Sequence, residues 1–463
     1  MKKEEPNMSK KIIVAGAGHG GLTAAALLAK AGFDVTIYER NEEGKLGYDW
    51  TDIFDPKALD VVGCPRPEEV GLPWEWKIDM TFYGPNTTPD KKIRQRVPND
   101  PNEMEIKMER SDIYKLLIGF AVKNGAKIEY GVKINGPLMA GDRVIGITTD
   151  KGDFYADMVI DAAGAESVIR TKLPDCLGIQ KHPNWGEKFY VYRAFYDLPV
   201  DPATVDDKYK VILFPDSESI GIGWIATEDT FSDLLIGHMD PLTVSEAEAI
   251  AERYRKTNPQ LGTKKLRGGQ LVLIPVRQPL SIMVADGYAA IGDSAFMTVP
   301  IIGSGIGNAI KNSKILAETI IGDKTETYSA ETLWPYQYEY FQKMGKNIAP
   351  LALVKLLLTR ISQDQLDYAF NEGILTHYEL TITANHTSLW KFLHFDPNLP
   401  KRGAAILKDP DLLKKGAGVV LDVVAALAVE QFLPKQYSRP AVQAWAKAYD
   451  KVFTHRLKAM GKV

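Results

Sequence analysis

The chain has 463 residues and a mass of 51.4 kDa, roughly three times the length of a common ~150-residue domain, so two or three packed units are expected. Hydrophobic residues at 45% and charged residues at 25% exclude disordered, collagen-like and disulfide-scaffold chains. A net charge of −3 offers no general basic field for phosphate neutralisation, which argues against nucleic acid as a partner and for small molecules.

The amino terminus, MKKEEPNMSKK, leads into a short apolar run and not into a signal-peptide core, so the cytoplasm is the expected location. Cys64 and Cys176 form no Cys-x-x-Cys pair, in keeping with a reducing compartment. Lys11 to Ala15 (KIIVA) suits a buried parallel strand and runs straight into Gly16-Ala17-Gly18-His19-Gly20-Gly21, a Gly-x-Gly-x-x-Gly turn. An alanine- and leucine-rich helix follows, then a strand from Val35 to Tyr38 that ends in Glu39. This order is the fingerprint of a dinucleotide site. Gly16 permits the tight turn, Gly18 lets backbone approach a pyrophosphate, and Gly21 lets helix pack on strand, while the helix N-terminus offers unpaired N–H groups to the anion. Glu39 suits both ribose hydroxyls, and Arg40 beside it joins the cofactor-binding set.

Further along, a strand-like run from Tyr155 to Ile160 leads into Asp161-Ala162-Ala163-Gly164. Residues 185 to 280 alternate in strand fashion, in Phe189–Phe195, Tyr209–Phe214, Ile220–Ile225 and Gln270–Pro275. Tyr288 to Ile291 then leads into Gly292-Asp293, followed by Pro300, Gly303, Gly305 and a helix from Ile306 to about Ile321. After about Glu326 the pattern turns helical, with apolar segments at Ile348–Leu358 and Gly416–Phe432. The second of these carries Asp422 and Glu430 and falls short of the ~20 apolar residues of a membrane span.

The three glycine-bearing blocks, with Arg110 in MERSDIYKLL between the first two, resemble the FAD-dependent superfamily of aromatic hydroxylases and geranylgeranyl reductases. The resemblance implies an α/β fold with a discontinuous Rossmann-like FAD-binding domain at 9–75, 105–180 and 280–325. It further implies an antiparallel substrate-binding sheet at 76–104 and 181–279, and a helical region at 326–463. Asp293 would hold a ribityl hydroxyl of FAD, with Gly164, Pro300, Gly303, Gly305 and Ile306 in the same cofactor site. The helix after Gly305 would turn its N-terminal dipole towards the flavin's pyrimidine edge. Arg110 would reach the phosphate and ribose, a surface ion pair being the alternative.

Two departures favour the reductase branch. Ala163-Gly164 stands where hydroxylases carry Asp-Gly, and Phe296 stands where they carry the histidine of Gly-Asp-Ala-Ala-His. Trp74-Glu75-Trp76-Lys77-Ile78-Asp79 resembles the Trp-x-Trp-x-Ile-Pro of flavin-dependent halogenases but lacks the proline and lies too early, so these tryptophans are read as lining a pocket or the core.

The resemblance implies an FAD-dependent oxidoreductase that reduces a carbon–carbon double bond of a hydrophobic substrate, prenyl, steroid-like or polycyclic, by hydride from flavin N5. Reductase relatives often carry a cysteine near the ring; here the loop holds Tyr48, Asp49 and Trp50. Tyr48 is the candidate proton donor, with water as the other source, and Trp50 would shield the flavin face; a plain Asp49 turn is the alternative. No second dinucleotide fingerprint appears, so NAD(P)H would bind transiently, or a protein would donate electrons. The rival readings are an NAD(P)H- and oxygen-using monooxygenase and a non-enzymatic flavoprotein.

Cys64 is read as a small buried residue, and His182 and His238 have no spaced partners for a metal. Tyr83, Tyr190, Tyr192 and Trp224 line either an apolar cavity or the core. Val442, Trp445, Tyr449, Val452, Phe453, Leu457 and Met460 recur at helical spacing in a basic C-terminal segment that includes Lys462. It either packs on the body, which is preferred, or rests on an anionic membrane surface.

Overall fold

The computed structural model describes residues 9–88, 90–213, 221–384 and 398–459. Phe214, Ile220, Met460 and Lys462 lie outside the described residues.

A six-stranded sheet organises the cofactor half. Lys11–Ala15 lies near its middle, flanked by Asp34–Tyr38 and Lys127–Glu129 on one side and by Met158–Asp161, Tyr288–Ala290 and Val284–Ala285 on the other. All neighbours are parallel except the last pair. Parallel strands need helical crossovers, which bury both faces; Ile12, Ile13 and Val14 are accordingly buried. Helix His19–Lys30 makes the first crossover and packs against helix Ile306–Gly322.

The run from Tyr155 to Ile160 is not one strand. Gly152–Tyr155 ends a three-stranded antiparallel sheet, and Met158–Asp161 begins the central one. The chain changes sheet at Ala156 and Asp157, where the Asp157 carboxylate accepts the Lys11 N–H at 2.8 Å.

The second large sheet has seven strands, in the order Lys265–Pro275, Lys188–Asp197, Phe231–His238, Gly221–Thr227, Tyr209–Leu213, Met80–Tyr83, Ile93–Gln95. It is antiparallel except where Tyr209–Leu213 meets Met80–Tyr83. That parallel pair departs from the all-antiparallel expectation, because Met80–Tyr83 arrives from a remote stretch of chain and not through a hairpin. The period of two sorts its side chains. Tyr192 and Tyr196 donate to the carboxylate of Glu248, on helix Val244–Arg255, and Tyr190 packs with them. That helix was not read from the sequence, although Thr243 and Glu246 form a capping box at its start. Tyr83 donates to Asp207. Of the four aromatic candidates, Trp224 alone is part of the cavity wall described below.

Behind the sheets, Ala330–Tyr340, a π-helical turn at Phe341–Gly345 and Lys346–Leu358 follow one another. Helix Pro410–Gln431 packs on Lys346–Leu358, and Arg439–Ala459 closes the layer. In this last helix Val442, Trp445, Tyr449, Phe453 and Leu457 are buried in the main core. Arg439 pairs with Asp142 at 3.1 Å, tying the helix to the cofactor half. The apolar stripe of this helix is therefore spent on packing.

Candidate active site

One cavity of about 650 Å³ is lined both by the glycine turn and by the face of the seven-stranded sheet, a size within the roughly 300–1,000 Å³ of small-molecule sites. Its first half is built largely from backbone. Gly16 has φ +89°, and a Cβ there would lie 2.9 Å from the Ala162 carbonyl oxygen. A Cβ on Gly18 would lie 2.8 Å from the same oxygen, and one on Gly21 would lie 2.5 Å from Ala162 Cβ. Gly16 and Gly21 thus serve the turn and the helix–strand contact as expected. Gly18, which also lines the cavity, leaves room for Ala162 as well.

Helix His19–Lys30 begins at Gly18 and helix Ile306–Gly322 at Gly305, each without a side-chain cap, and both starts line the cavity. Two sets of unpaired N–H groups and two positive dipole ends therefore meet one space. Glu39 is buried; its carboxylate accepts the Ala17 and Asn41 N–H groups, both at 2.9 Å, and retains lone pairs for further donors. Arg40 lines the cavity beside it. Gly164 has φ +90° with nothing within 4 Å of where its Cβ would stand, so it leaves the cavity open. Its N–H donates to Ser294 Oγ at 2.9 Å, joining the middle and third blocks.

Asp293 accepts the Thr298 hydroxyl at 2.7 Å, and burial raises its carboxyl above the ordinary value. Pro300, Gly303, Gly305 and Ile306 complete this wall. Phe296 lies instead in the core, in the left-handed region, with the guanidinium groups of Arg170 and Arg277 4.4 and 4.6 Å from its ring.

Arg110 makes a bidentate pair with Asp52, Nε at 2.5 Å and Nη2 at 2.7 Å, within the cavity wall. Burial raises the Asp52 carboxyl, but the charge and hydrogen bonds of Arg110 outweigh it and hold it below its ordinary value. Arg110 is thus ion-paired within the cavity wall and not on the open surface. Its guanidinium also lies 5.1 Å from the Tyr48 ring and 5.2 Å from that of Trp50.

Tyr48 and Trp50 touch edge to face at 4.9 Å yet belong to different halves of the site. Tyr48 is 39% exposed; burial raises its hydroxyl, and Arg110, Asp293, Arg40 and Asp52 are its charged neighbours. Trp50 is buried in the apolar cluster of Val191, Phe195, Leu235 and Val272 on the sheet. Trp74 and Trp76 contact one another at 4.8 Å, but neither lines the cavity and Trp76 is exposed at a short strand, so the pocket-or-core expectation fails for it. Cys64 is buried and its thiol is pushed up to about 12, chiefly by burial, which leaves it inert as a nucleophile.

The second half of the cavity is apolar, walled by Met80, Phe82, Val211, Trp224, Val272, Ile274 and Leu358. Four residues not singled out by the sequence reading shape the site. His19 stacks on Tyr114 at 4.8 Å; burial and then Arg110 push it down to about 3, so the ring is neutral, and its Nε2 has no partner among the described residues. Buried Arg193 pairs with Asp233, Nε to Oδ1 at 2.8 Å, and also donates to the Thr51 carbonyl and hydroxyl, fastening the Thr51–Phe54 strand over the sheet. Tyr209 is buried in the wall, its hydroxyl without a hydrogen-bond partner among the described residues. Lys355, also in the wall, donates to the Gly186 and Val276 carbonyls, and burial lowers it to about 7. His19 sits inside the legible motif, and Arg193 is a charge in an aromatic strand; Tyr209 and Lys355 carry no sequence signal.

A family of NAD(P)-binding Rossmann-like domains matches residues 14–64. The digeranylgeranylglycerophospholipid reductase of Sulfolobus acidocaldarius is 23% identical over 389 residues, covering 80% of this chain and 82% of that protein. The geranylgeranyl bacteriochlorophyll reductase-like protein of Thermoplasma acidophilum superposes with a TM-score of 0.68 at 20% identity, covering 89% of this chain and 99% of that one. A variant of the halogenase PltM in complex with FAD gives 0.58 at 14% identity, covering 98% and 96%. The cradle fits the same cofactor: an acid at the end of the second strand, two uncapped helix starts and an open Gly164 suit a dinucleotide. The chain is similar in sequence and fold to geranylgeranyl reductase-like proteins, and its cradle suits FAD.

Proposed function

We propose that the protein reduces a carbon–carbon double bond of a hydrophobic, prenyl-type substrate. The observation that carries this reading is the single cavity shared by the FAD cradle and an apolar sheet face. When bound and reduced, FAD supplies the hydride. Gly16 to His19, Glu39, Arg40, Asp293 and the start of the Ile306–Gly322 helix would hold it, while Met80, Phe82, Val211 and Trp224 hold the substrate and exclude water. The proton for the second carbon comes from a phenol. Tyr48 stands at the cradle and Tyr209 in the apolar half; both hydroxyls are raised, first by burial, and so keep their protons. Tyr209 is favoured because its hydroxyl is uncommitted and lies among the substrate-facing residues. Electrons reach FAD from transiently bound NAD(P)H or from a protein donor.

The test is to reduce the FAD-loaded protein chemically under argon, add digeranylgeranylglycerophospholipid, and record product masses. A gain of two hydrogens is expected. An oxygen or halogen atom gained only in air would replace the reading with hydroxylase- or halogenase-type chemistry, and no change of mass under either gas, with FAD retained, would sink it.

A further inference from the structure

Helix Pro410–Gln431 carries two apolar faces. Leu412, Val419 and Ala426 pack inward, as expected of a surface helix. On the opposite side Leu413, Val420, Leu421, Val424 and Phe432, just past its end, are 38 to 77% exposed. At 100° per residue they fall in one stripe, with exposed alanines between them. Contiguous exposed apolar surface of this kind marks an interaction site.

We propose that this face docks on a lipid bilayer bearing anionic headgroups. The placement of charge favours this occupant. Past its first turn the helix has two acids, Asp422 and Glu430, and both are buried on the inward side. Near the start Lys408, Lys414 and Lys415 outnumber Asp409 and Asp411, and Lys435 lies beyond the end, so that a net positive charge flanks the stripe. An apolar face bounded by cations is the pattern of a helix lying in the headgroup region. Size argues against a second copy of the chain. Twenty-two residues span about 33 Å, so a stripe about 10 Å wide offers roughly 330 Å². Two such faces would bury roughly 700 Å², short of the ~1,200 Å² of a stable interface. Among the described residues no helix is long and apolar enough to cross a membrane, so the helix lies along the surface.

The docked face is joined to the site. The helix packs on Lys346–Leu358, whose Lys355 and Leu358 line the cavity. Docking would therefore hold the apolar half of the cavity close to a lipophilic substrate; that role rests on the reduction of a hydrophobic substrate proposed above, whereas the docking itself does not.

FAD-loaded protein is floated with vesicles of mixed phosphatidylglycerol and phosphatidylcholine, without substrate, so that binding is read apart from turnover. The protein is expected to float, less with phosphatidylcholine alone and less in high salt. The double variant Leu421→Gln, Val424→Gln should lose about tenfold or more of its partition, with unchanged flavin content and melting temperature because both positions are exposed. Lys414→Glu with Lys435→Glu, which leaves the apolar stripe whole, should weaken binding to the anionic vesicles alone. A native protein that stays unbound, or a Leu421→Gln, Val424→Gln variant that floats as well as native, overturns the proposal. So does a concentration-dependent dimer that the same variant dissociates, which would assign the face to a second copy.

Discussion

The two halves of the cavity are made of different things. The cradle is made of backbone: glycines that admit Ala162, two uncapped helix starts, and a carboxylate held by two N–H groups. The apolar half is made of side chains from distant strands and from a helix behind them. A backbone site tolerates almost no added atom, whereas a side-chain site can lose its chemistry and keep its shape.

The sharpest way to break this contrast is Gly21→Val. Its Cβ would stand 2.5 Å from Ala162 Cβ and 2.9 Å from Val14 Cγ1, inside a close-packed core where overpacking costs about 1–3 kcal/mol or more. Loss of bound flavin together with a collapse of the melting temperature is expected, read by absorbance and thermal unfolding; full flavin content would show that the cradle yields. Tyr209→Phe tests the other half. If that hydroxyl delivers the proton, kcat for substrate reduction should fall by about 10²–10⁴ while flavin content stays native. An unchanged kcat, with Tyr48→Phe carrying the loss, would return the role to the cradle side.

An effect that leaves the site untouched is expected outside both halves. Glu430 is buried with neither carboxylate oxygen partnered among the described residues, and burial raises it from 4.5 to about 9, with Lys346 opposing. The folded protein keeps this proton while the unfolded chain releases it, so the stability it contributes is lost as pH rises from 4.5 towards 9. Glu430→Gln should therefore stabilise the protein by ~2–3 kcal/mol near pH 7 and flatten that decline, leaving flavin content and turnover alone. Melting curves of variant and native protein that run parallel across this range would remove the buried acid from the account.

Legibility follows the same division. Lys11–Ala15, the glycine turn, the first helix and Glu39 fall within about thirty consecutive residues, where each type answers a local steric or electrostatic demand. Tyr155–Ile160 misled because a β-branched run states a strand but not the sheet that receives it. The aromatic strands were legible as strands, yet which face of each met the cavity was not: Tyr192 and Trp224 read alike, and the helix bearing Glu248 claims the first. The C-terminal segment and helix Pro410–Gln431 both read as amphipathic or apolar, and only their packing shows that the former spends its stripe on the core while the latter keeps one exposed.

By itself, then, the order of residues determined the dinucleotide turn, the acid that follows it, the FAD-type blocks and the change from strands to helices, because those are short-range constraints on φ, on close approach and on periodicity. Tertiary structure alone decided that Arg110 answers Asp52, that Arg193 fastens Thr51 over the sheet, and that Tyr209 and Lys355 reach the same cavity as Gly16. Those pairings join segments far apart in the chain, and a side chain's partner across such a distance is set by how sheets and helices stack.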